Sequence, residues 1–596
     1  MRNAETVLGI IRERGRQGLP LERVYRLLWN RDLFLMAYGR IAKNDGAMTP
    51  GVTAETVDGM SLAKIDAIIA DLRREQYRWT PVRRVYIEKK NSTKKRPLGI
   101  PTWSDKLLQE VLRLILEAYY EPQFSDHSHG FRPNRGCHTA LKTVHQTWNG
   151  TKWFIEGDIR GCFDNIDHST LLGILAEKIH DGRFVRLVGE LLAAGYLEDW
   201  KLNSTLSGTP QGGVVSPILA NIYLDRFDKW AETTLLPNYN RGTERQRNLS
   251  YCRMRNRARY LANKGRHEEA HALRQQMQKL PSYDPHDPGY RRLRYLRYAD
   301  DFLLGFIGPK SEAEEIKRQI GQFLHDNLKL ELSEAKTLVT HARTSSARFL
   351  GYEVSVLHDD TARTSSGRRR INGVIGLRVP LDVVKEKCTP YVHHSKAAPR
   401  PERLHETVFS IVDQYQTEYR GVVEYYRLAF NLHRFDRLKW VMEQSLTKTL
   451  ANKLRISVPK VYDRFGAVLQ TPNGPYKGLQ VEVERDGKEP LVATWGGIPL
   501  RRNLDVVLND APSSIWFGPT GLEQRLLADE CELCGSHEHV EVHHVRRLKD
   551  LRIKGRREKP EWVKAMAARH RKTLIVCRTC HMDIHLGRPL RRVSTD

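Results

Sequence analysis

The chain has 596 residues, 40% of them hydrophobic, and its 97 Lys and Arg outweigh 71 Asp and Glu to leave a net charge of +26. That length exceeds a single core and predicts several domains, and the apolar content excludes a disordered chain. The charge calls for an anionic partner, nucleic acid ahead of an anionic membrane surface.

The first 30 residues read as a basic helix, and the Gly/Asp/Thr-rich stretch 43–53 as loop. Residues 61–77 space their apolar side chains by three and four behind Ser61, a candidate N-cap. Residues 83–90 read as a strand, NSTKKRPLGIPT as a basic turn, and DKLLQEVLRLILEAYYEP as a long helix ending near Glu121–Pro122. KWFIEGDI (152–159) is an apolar strand ending in an acid, and GTPQGGVVSP (208–217) is a Gly/Pro loop feeding a helix. The strongly basic stretch 241–294 reads as an insertion of helix and loop. In YLRYADDFLLGFI (295–307) two aspartates break two apolar runs, the pattern of a tight hairpin. A helix follows, RFLGYEV reads as one further strand, and 380–460 is largely helical. Residues 461–530 are Gly/Pro-rich with short strand candidates, and the segment beyond 530, with four of the eight cysteines, reads as a separate module. No apolar run is long enough for a bilayer and no secretory signal is present, so the expected setting is cytoplasmic, nucleoid-associated and reducing, without a membrane partner.

Nucleotidyl transfer uses two divalent ions about 3.5–4 Å apart, and carboxylates are natural hard ligands for Mg²⁺. A strand ending in Asp158 beside a hairpin tip carrying Asp300 brings two acids together from distant parts of the chain. Neighbours in an extended backbone point in opposite directions, so Asp300 is expected to be the firmer ligand and Asp301 its helper. Near the far end, Cys531-x₂-Cys534 and Cys577-x₂-Cys580 suit a closed tetrahedral Zn²⁺ site. His543, His544, His581 and His585 are more than that zinc needs, and His581 and His585, four apart, share one helix face.

YADD (298–301), GDIRGCFDNIDH (157–168), TPQGGVVSPILANIYLD (209–225), LKLELSEAKT (328–337), FLGYEV (349–354), KKRPLGIPT (94–102) and HGFRPNRGCHTAL (129–141) form one set. Together they closely resemble the motifs of the reverse transcriptase/maturases encoded within group II introns, over about residues 30–460. The resemblance implies an α/β multidomain chain with a right-hand polymerase of fingers, palm and helical thumb. It implies an N-terminal extension and fingers at 1–150, and a palm at 151–379 interrupted by the Arg-rich insertion at about 241–294. A thumb, or maturase domain X, follows at 380–460, with a DNA-binding linker region at 461–525. Two Mg²⁺ ions would sit on Asp158 and Asp300, with Asp301. Phe163 would be the aromatic plate under the incoming sugar, favouring dNTPs; Gln211 would hydrogen-bond the nucleotide; Lys336 would give a proton to the leaving pyrophosphate. Arg96, with Lys89 or Lys94, would grip the triphosphate, or these side chains touch the template backbone instead. The Tyr/Phe stripe in 420–431 is read as helix–helix core in preference to a base-stacking platform.

The C-terminal module, 526–596, resembles the HNH endonuclease, a small zinc-stabilised ββα unit. Carried over, His544 is the general base, His543 and His585 hold Mg²⁺ or Mn²⁺, and His581 braces the helix. Lys572 stands where the family often has Asn, so another side chain orients the base or the module is mainly a DNA-binding one. His537 and His539 receive no chemistry. The family implies binding to a group II intron RNA to assist splicing, and nicking of target duplex DNA to prime reverse transcription during intron mobility. Three alternatives stand beside this at the level of sequence: a host-adapted reverse transcriptase, a non-enzymatic splicing cofactor, and an RNA-dependent RNA polymerase, which Phe163 disfavours.

Overall fold

An apolar run without alternation makes a strand buried on both faces, and Asp301–Ile307 is one: every residue after Asp301 is buried. In the computed structural model this strand is the centre of a five-stranded sheet. The order is Leu338–His341, Trp153–Asp158, Asp301–Ile307, Arg292–Tyr298 and Ser128–His129, antiparallel except at the last pair. Helices Ser216–Trp230 and Lys310–Leu328 back it. Phe227 meets Phe302 of the central strand at 5.2 Å, and Trp230 stacks on Phe323 at 4.4 Å. The structure describes residues 3–44, 46–88, 95–198, 201–203, 212–359, 361, 371–471, 474–485, 488–506, 521–545, 560, 562–563, 566 and 572–588.

The N-terminal stretch read as one basic helix is a helix over Ala4–Arg16 only, followed by the strand Leu21–Glu22 and a 3₁₀ segment Val24–Trp29; the later helices fall closer to the reading. Ser61 caps Leu62–Arg73, its Oγ accepting from the Lys64 amide at 3.3 Å. The long helix Trp103–Tyr120 starts at Thr102 and tightens into one 3₁₀ turn, Glu121–Gln123. It is buried nearly all round and takes Glu110 and Glu117 inside with it. Glu110 is paired with Arg40 at 3.1 Å and Arg113 at 3.2 Å, and Glu117 with Arg113 at 3.5 Å, as buried charge requires. Strands Val82–Glu88 and Lys95–Ile100 pair antiparallel within a four-stranded sheet, so most of the stretch read as a basic turn, 95–100, is a strand. The basic insertion is two helices, Leu249–Asn263 and His267–Met277. Between the insertion and the palm lies a cavity of about 1320 Å³ lined by Arg245, Arg247, Arg274, Lys152 and Arg343 among others.

Two further readings change. RFLGYEV is not one strand but a hairpin, Ala347–Phe349 against Tyr352–Val356, turning at Leu350 and Gly351, both with positive φ (48° and 72°). That is the conformation of a two-residue hairpin turn, and the apolar run conceals it. Residues 466–495, unclassified from sequence, form a three-stranded antiparallel sheet. Its Trp495 packs on Tyr419 and Tyr415 of the helix Val408–Tyr425, at 5.5 and 6.4 Å, so the sheet extends the core of the 380–460 helices. Within the 420–431 stripe Tyr426 is buried and Tyr425 is half-buried with its hydroxyl donating to the Leu350 carbonyl at 2.9 Å, so the tyrosines are core, whereas Phe430 is exposed. Among the described residues no helix is long and apolar enough to cross a membrane.

Candidate functional site

Register builds the acidic turn. Tyr298 pairs with Asp301, so Ala299 and Asp300 alone make the turn, and Asp301 pairs in turn with Asp158 on the next strand. Directly opposed residues carry their side chains on one face, about 5 Å apart. Asp158 and Asp301 therefore face the same side, with Asp300 beside them at the tip. Alternation along a strand favoured Asp300; the two-residue turn takes Asp300 out of the strand, and register sets Asp301 opposite Asp158. Gly157 precedes Asp158 because a Cβ there would lie 2.0 Å from the Phe302 ring across the ladder.

The electrostatics are those of crowded carboxylates. Burial, then the charges of Asp300 and Asp158, push Asp301 up to about 7, and burial with Asp158 also raises Asp300. Asp301 is open to solvent on one side, so water moderates this repulsion. Lys336 Nζ lies 2.9 Å from Asp158 Oδ2 and supplies countercharge. Asp300 and Asp301 are thus held up beside Asp158, and an all-oxygen donor set of this kind fits divalent ions.

Beneath the turn lies a buried network that the sequence reading missed. Arg297 is fully buried. Its Nε and Nη2 donate to Asp228 at 2.8 and 2.6 Å, and its Nη1 donates to the Ala299 carbonyl at 2.6 Å. Tyr295 donates to Asp228 at 2.7 Å. Ala299 stands at φ 53°, a strained setting for a residue with a Cβ. Its N–H donates to the His129 carbonyl at 2.9 Å, so both sides of the strained residue are pinned. The signals were an arginine inside an apolar strand and an aspartate inside a helix face, LDRFDKW.

Phe163 lies on the single turn Cys162–Asn165, half-buried and edge-on to Phe131 at 6.4 Å. Arg96 is exposed on the fingers strand, and its charge is one of those that pull against the raised acidity constant of Asp300. Lys89, Lys94 and Gln211 lie outside the described residues. Gly212, next to Gln211, has φ 103° and abuts the fingers: a Cβ would come 2.7 Å from the Gly99 carbonyl.

In the C-terminal module, strands Val540–His544 and Thr573–Cys577 pair antiparallel and run into helix Arg578–Leu586, a ββα unit. The sulfurs of Cys531, Cys534, Cys577 and Cys580 lie within 4.8 Å of one another. Cys534 and Cys577 are 3.7 Å apart, near the edge of about 3.8 Å for a tetrahedron of ~2.3 Å Zn–S bonds. The amides of Cys534 and Cys580 donate to the sulfurs of Cys531 and Cys577 at 3.4 and 3.5 Å. The donor set fits a tetrahedral thiophilic ion.

A second cluster gathers His543, His581, His585 and Asp58. His581, read from sequence as a brace, belongs with the cluster, and Glu541 meets its Nδ1 at 2.8 Å. Burial would lower His581, but its hydrogen bonds to Asp58 and Glu541 outweigh that and raise it to about 9. His544 is buried, which pushes it down to about 4, and its Nε2 is 2.9 Å from the Tyr38 hydroxyl. Lys572 is exposed, and its carbonyl accepts from the Val545 amide. Asp58 and Tyr38 gave no sequence signal, standing 486 and 506 residues before His544.

Three family models match in order along the chain: reverse transcriptase (RNA-dependent DNA polymerase) over 87–354, type II intron maturase over 379–485, and an AI2M/AI1M-like HNH endonuclease over 531–581. The chain is 39% identical over 585 residues to the group II intron-encoded protein LtrA of Lactococcus lactis subsp. cremoris, covering 94% of this chain and 95% of that protein. It is 34% identical over 579 residues to an uncharacterized 91 kDa protein in the cob intron of Schizosaccharomyces pombe, covering 94% and 69%. It is 30% identical over 592 residues to the putative COX1/OXI3 intron 1 protein of Saccharomyces cerevisiae, covering 94% and 68%.

Proposed function

Because the chain belongs to the group II intron-encoded reverse transcriptase/maturases that carry a C-terminal HNH endonuclease, we propose that it copies its intron RNA from a primer that its own nuclease exposes. It is an RNA-directed DNA polymerase that assists splicing of its intron and serves intron mobility. The observation that carries the site reading is the Asp158–Asp301 pair with Asp300 at the turn. Two Mg²⁺ ions held by these acids supply activation of the primer 3′-hydroxyl and charge stabilisation at the leaving pyrophosphate. The chain itself holds Asp300 and Asp301 at a hairpin turn and Asp158 on the adjacent strand, and keeps Lys336 beside Asp158, able to protonate the departing group. Arg96, Lys89 and Gln211 hold the nucleotide, and Arg suits phosphate through its planar fork. Primer extension on an RNA template with a DNA primer, Mg²⁺ and dNTPs tests this reading.

Phe163 is the wall against a ribose 2′-hydroxyl in this reading, supported by its half-buried place on the turn after Asp158. Phe163→Ala is expected to raise incorporation of NTPs relative to dNTPs by roughly tenfold or more, since removing a clash of about 1.4 kcal/mol is worth that factor. An unchanged NTP/dNTP ratio in single-nucleotide extension assigns Phe163 to packing alone.

We assign one structural Zn²⁺ to the four cysteines, and the sheet and linker over 461–525 to target DNA by their order in the chain. The proposed domain limits follow the same order: fingers to 150, palm to 379, thumb to 460 with the sheet over 466–495 packed on its core, and nuclease from 526. Replacing Cys577 with Ser is expected to remove that zinc equivalent and open the nuclease module to protease, since small metal-stapled units fold with their ion. Zinc content by elemental analysis, unchanged in the variant, refutes the assignment. In the nuclease, an ion on the histidine cluster supplies charge stabilisation at the scissile phosphate, and His544 takes the proton from the attacking water. A basic, +26 chain suits nucleoid association.

A further inference from the structure

The fourth corner of the histidine cluster comes from outside the nuclease. Asp58 lies in the loop before helix Leu62–Arg73, in the N-terminal extension. That loop is clasped to the nuclease hairpin by two backbone bonds: the Gly59 amide donates to the Val542 carbonyl at 3.0 Å, and the Val542 amide to the Met60 carbonyl at 2.8 Å. The Asp58 carboxylate also accepts from the His544 amide at 2.7 Å. Its oxygens then stand 2.8 Å from His585 Nε2, 3.2 Å from His581 Nε2 and 3.5 Å from His543 Nδ1. The two Nε2 atoms of His581 and His585 are 3.1 Å apart. Ligand atoms around one tetrahedral ion with ~2.1 Å bonds lie about 3.4 Å from one another, so this is the spacing of a single shell.

Two independent features aim the cluster at a cation. The His543 side chain is 5% exposed; its Nδ1 faces the Asp58 carboxylate at 3.5 Å, and its Nε2 has no hydrogen-bond partner among the described residues. Glu541 engages His581 through Nδ1 and leaves Nε2 facing the cluster, the second contact that ligating histidines use. Three imidazoles and one carboxylate favour a transition-metal dication over Mg²⁺. A catalytic ion needs an open position for its substrate, and an anionic carboxylate is the natural stand-in for a scissile phosphate. The same extension also supplies Tyr38, whose hydroxyl is bonded to Nε2 of His544.

We propose that Asp58 completes a three-histidine, one-carboxylate site for one transition-metal dication, which latches the nuclease to the N-terminal extension and keeps its catalytic position closed until a DNA phosphate displaces the carboxylate. The metal site rests on geometry; the latch rests in addition on the nuclease reading of these histidines. The test uses the full-length, zinc-loaded chain titrated with Co²⁺. A four-coordinate nitrogen/oxygen site gives strong visible absorption, whereas an all-carboxylate, hydrated site gives weak bands. Asp58→Asn is expected to raise the Co²⁺ concentration at half-saturation at least about tenfold. Nicking of a target plasmid at saturating Mn²⁺, without intron RNA, is expected to rise about tenfold or more in Asp58→Asn and in Tyr38→Phe, which leaves all four ligands in place. Primer extension at wild-type rate shows that both variants fold. Unchanged Co²⁺ affinity in Asp58→Asn overturns the composite site. Lowered affinity with wild-type nicking rates in both variants overturns the latch. Lowered affinity with no nicking by any protein sinks the nuclease reading and the latch with it, and leaves the metal site as a structural clamp.

Discussion

Alanine at Asp300 lowers dNTP-dependent primer extension by the purified protein at least about a thousandfold, the equivalent of roughly 4 kcal/mol of lost transition-state stabilisation. Asp300 is the tip residue of a two-residue turn whose neighbours are the cross-strand pair Asp158 and Asp301. Removing it takes one wall from the cation site and one repulsive charge from Asp301, whose raised acidity constant rests on burial and then on Asp300. The fold loses nothing it depends on, because crowded like charges oppose the folded state. Template binding and melting are therefore expected to hold or improve while synthesis collapses. Asn at the same position separates charge from shape: it keeps the volume and still fails. NTPs alone give no product in the wild-type lane. Extension by Asp300→Ala within tenfold of wild type would move the ion site to Asp158 and Asp301 only, and dNTP-independent synthesis would revive the RNA polymerase alternative.

What the sequence yields and what it withholds follow from how local the signal is. The palm hairpin is readable because two charged residues interrupt two apolar runs, and only a turn tolerates that. The cysteine pairs are readable because two thiols three residues apart lie within one local turn. The RFLGYEV hairpin is hidden since its turn, Leu350–Gly351, carries no polar residue to mark it. The weights of Asp300 and Asp301 depend on register, which pairing partners decide. The sheet over 466–495 is obscured because apolar Val468, Val483, Leu491 and Val492 face solvent, breaking the alternation, and its core contact, Trp495 on Tyr419, comes from a distant helix. Asp58 and Tyr38 are beyond sequence reasoning altogether: their chemistry exists only once an extension near residue 58 docks on a hairpin near residue 543.

Replacing Arg297 with Met destabilises the palm by about 3–5 kcal/mol, because Asp228 is left buried without its countercharge. Asp228→Leu is expected to cost a similar amount for the mirror-image reason. Combining the two, with Tyr295→Phe to spare the hydroxyl that otherwise loses its acceptor, exchanges a buried ion pair for apolar contact of similar volume, a change often neutral or stabilising. Melting of the triple variant should therefore return close to wild type. Its activity should not. Arg297 also donates to the Ala299 carbonyl at 2.6 Å, one residue from Asp300, and Ala299 holds φ 53° only while that bond and the His129 bond pin it. Without the donor the turn relaxes and the acids lose their common geometry, and small misplacements of reacting groups cost on the order of a hundredfold in rate. The loss should fall on kcat and on the concentration of Mg²⁺ needed for half-maximal rate, with the KM for dNTP little changed. A triple variant that melts like wild type and also extends primers like wild type would reduce Arg297 to packing. Recovery of stability without recovery of rate identifies it as the group that sets the catalytic turn from below.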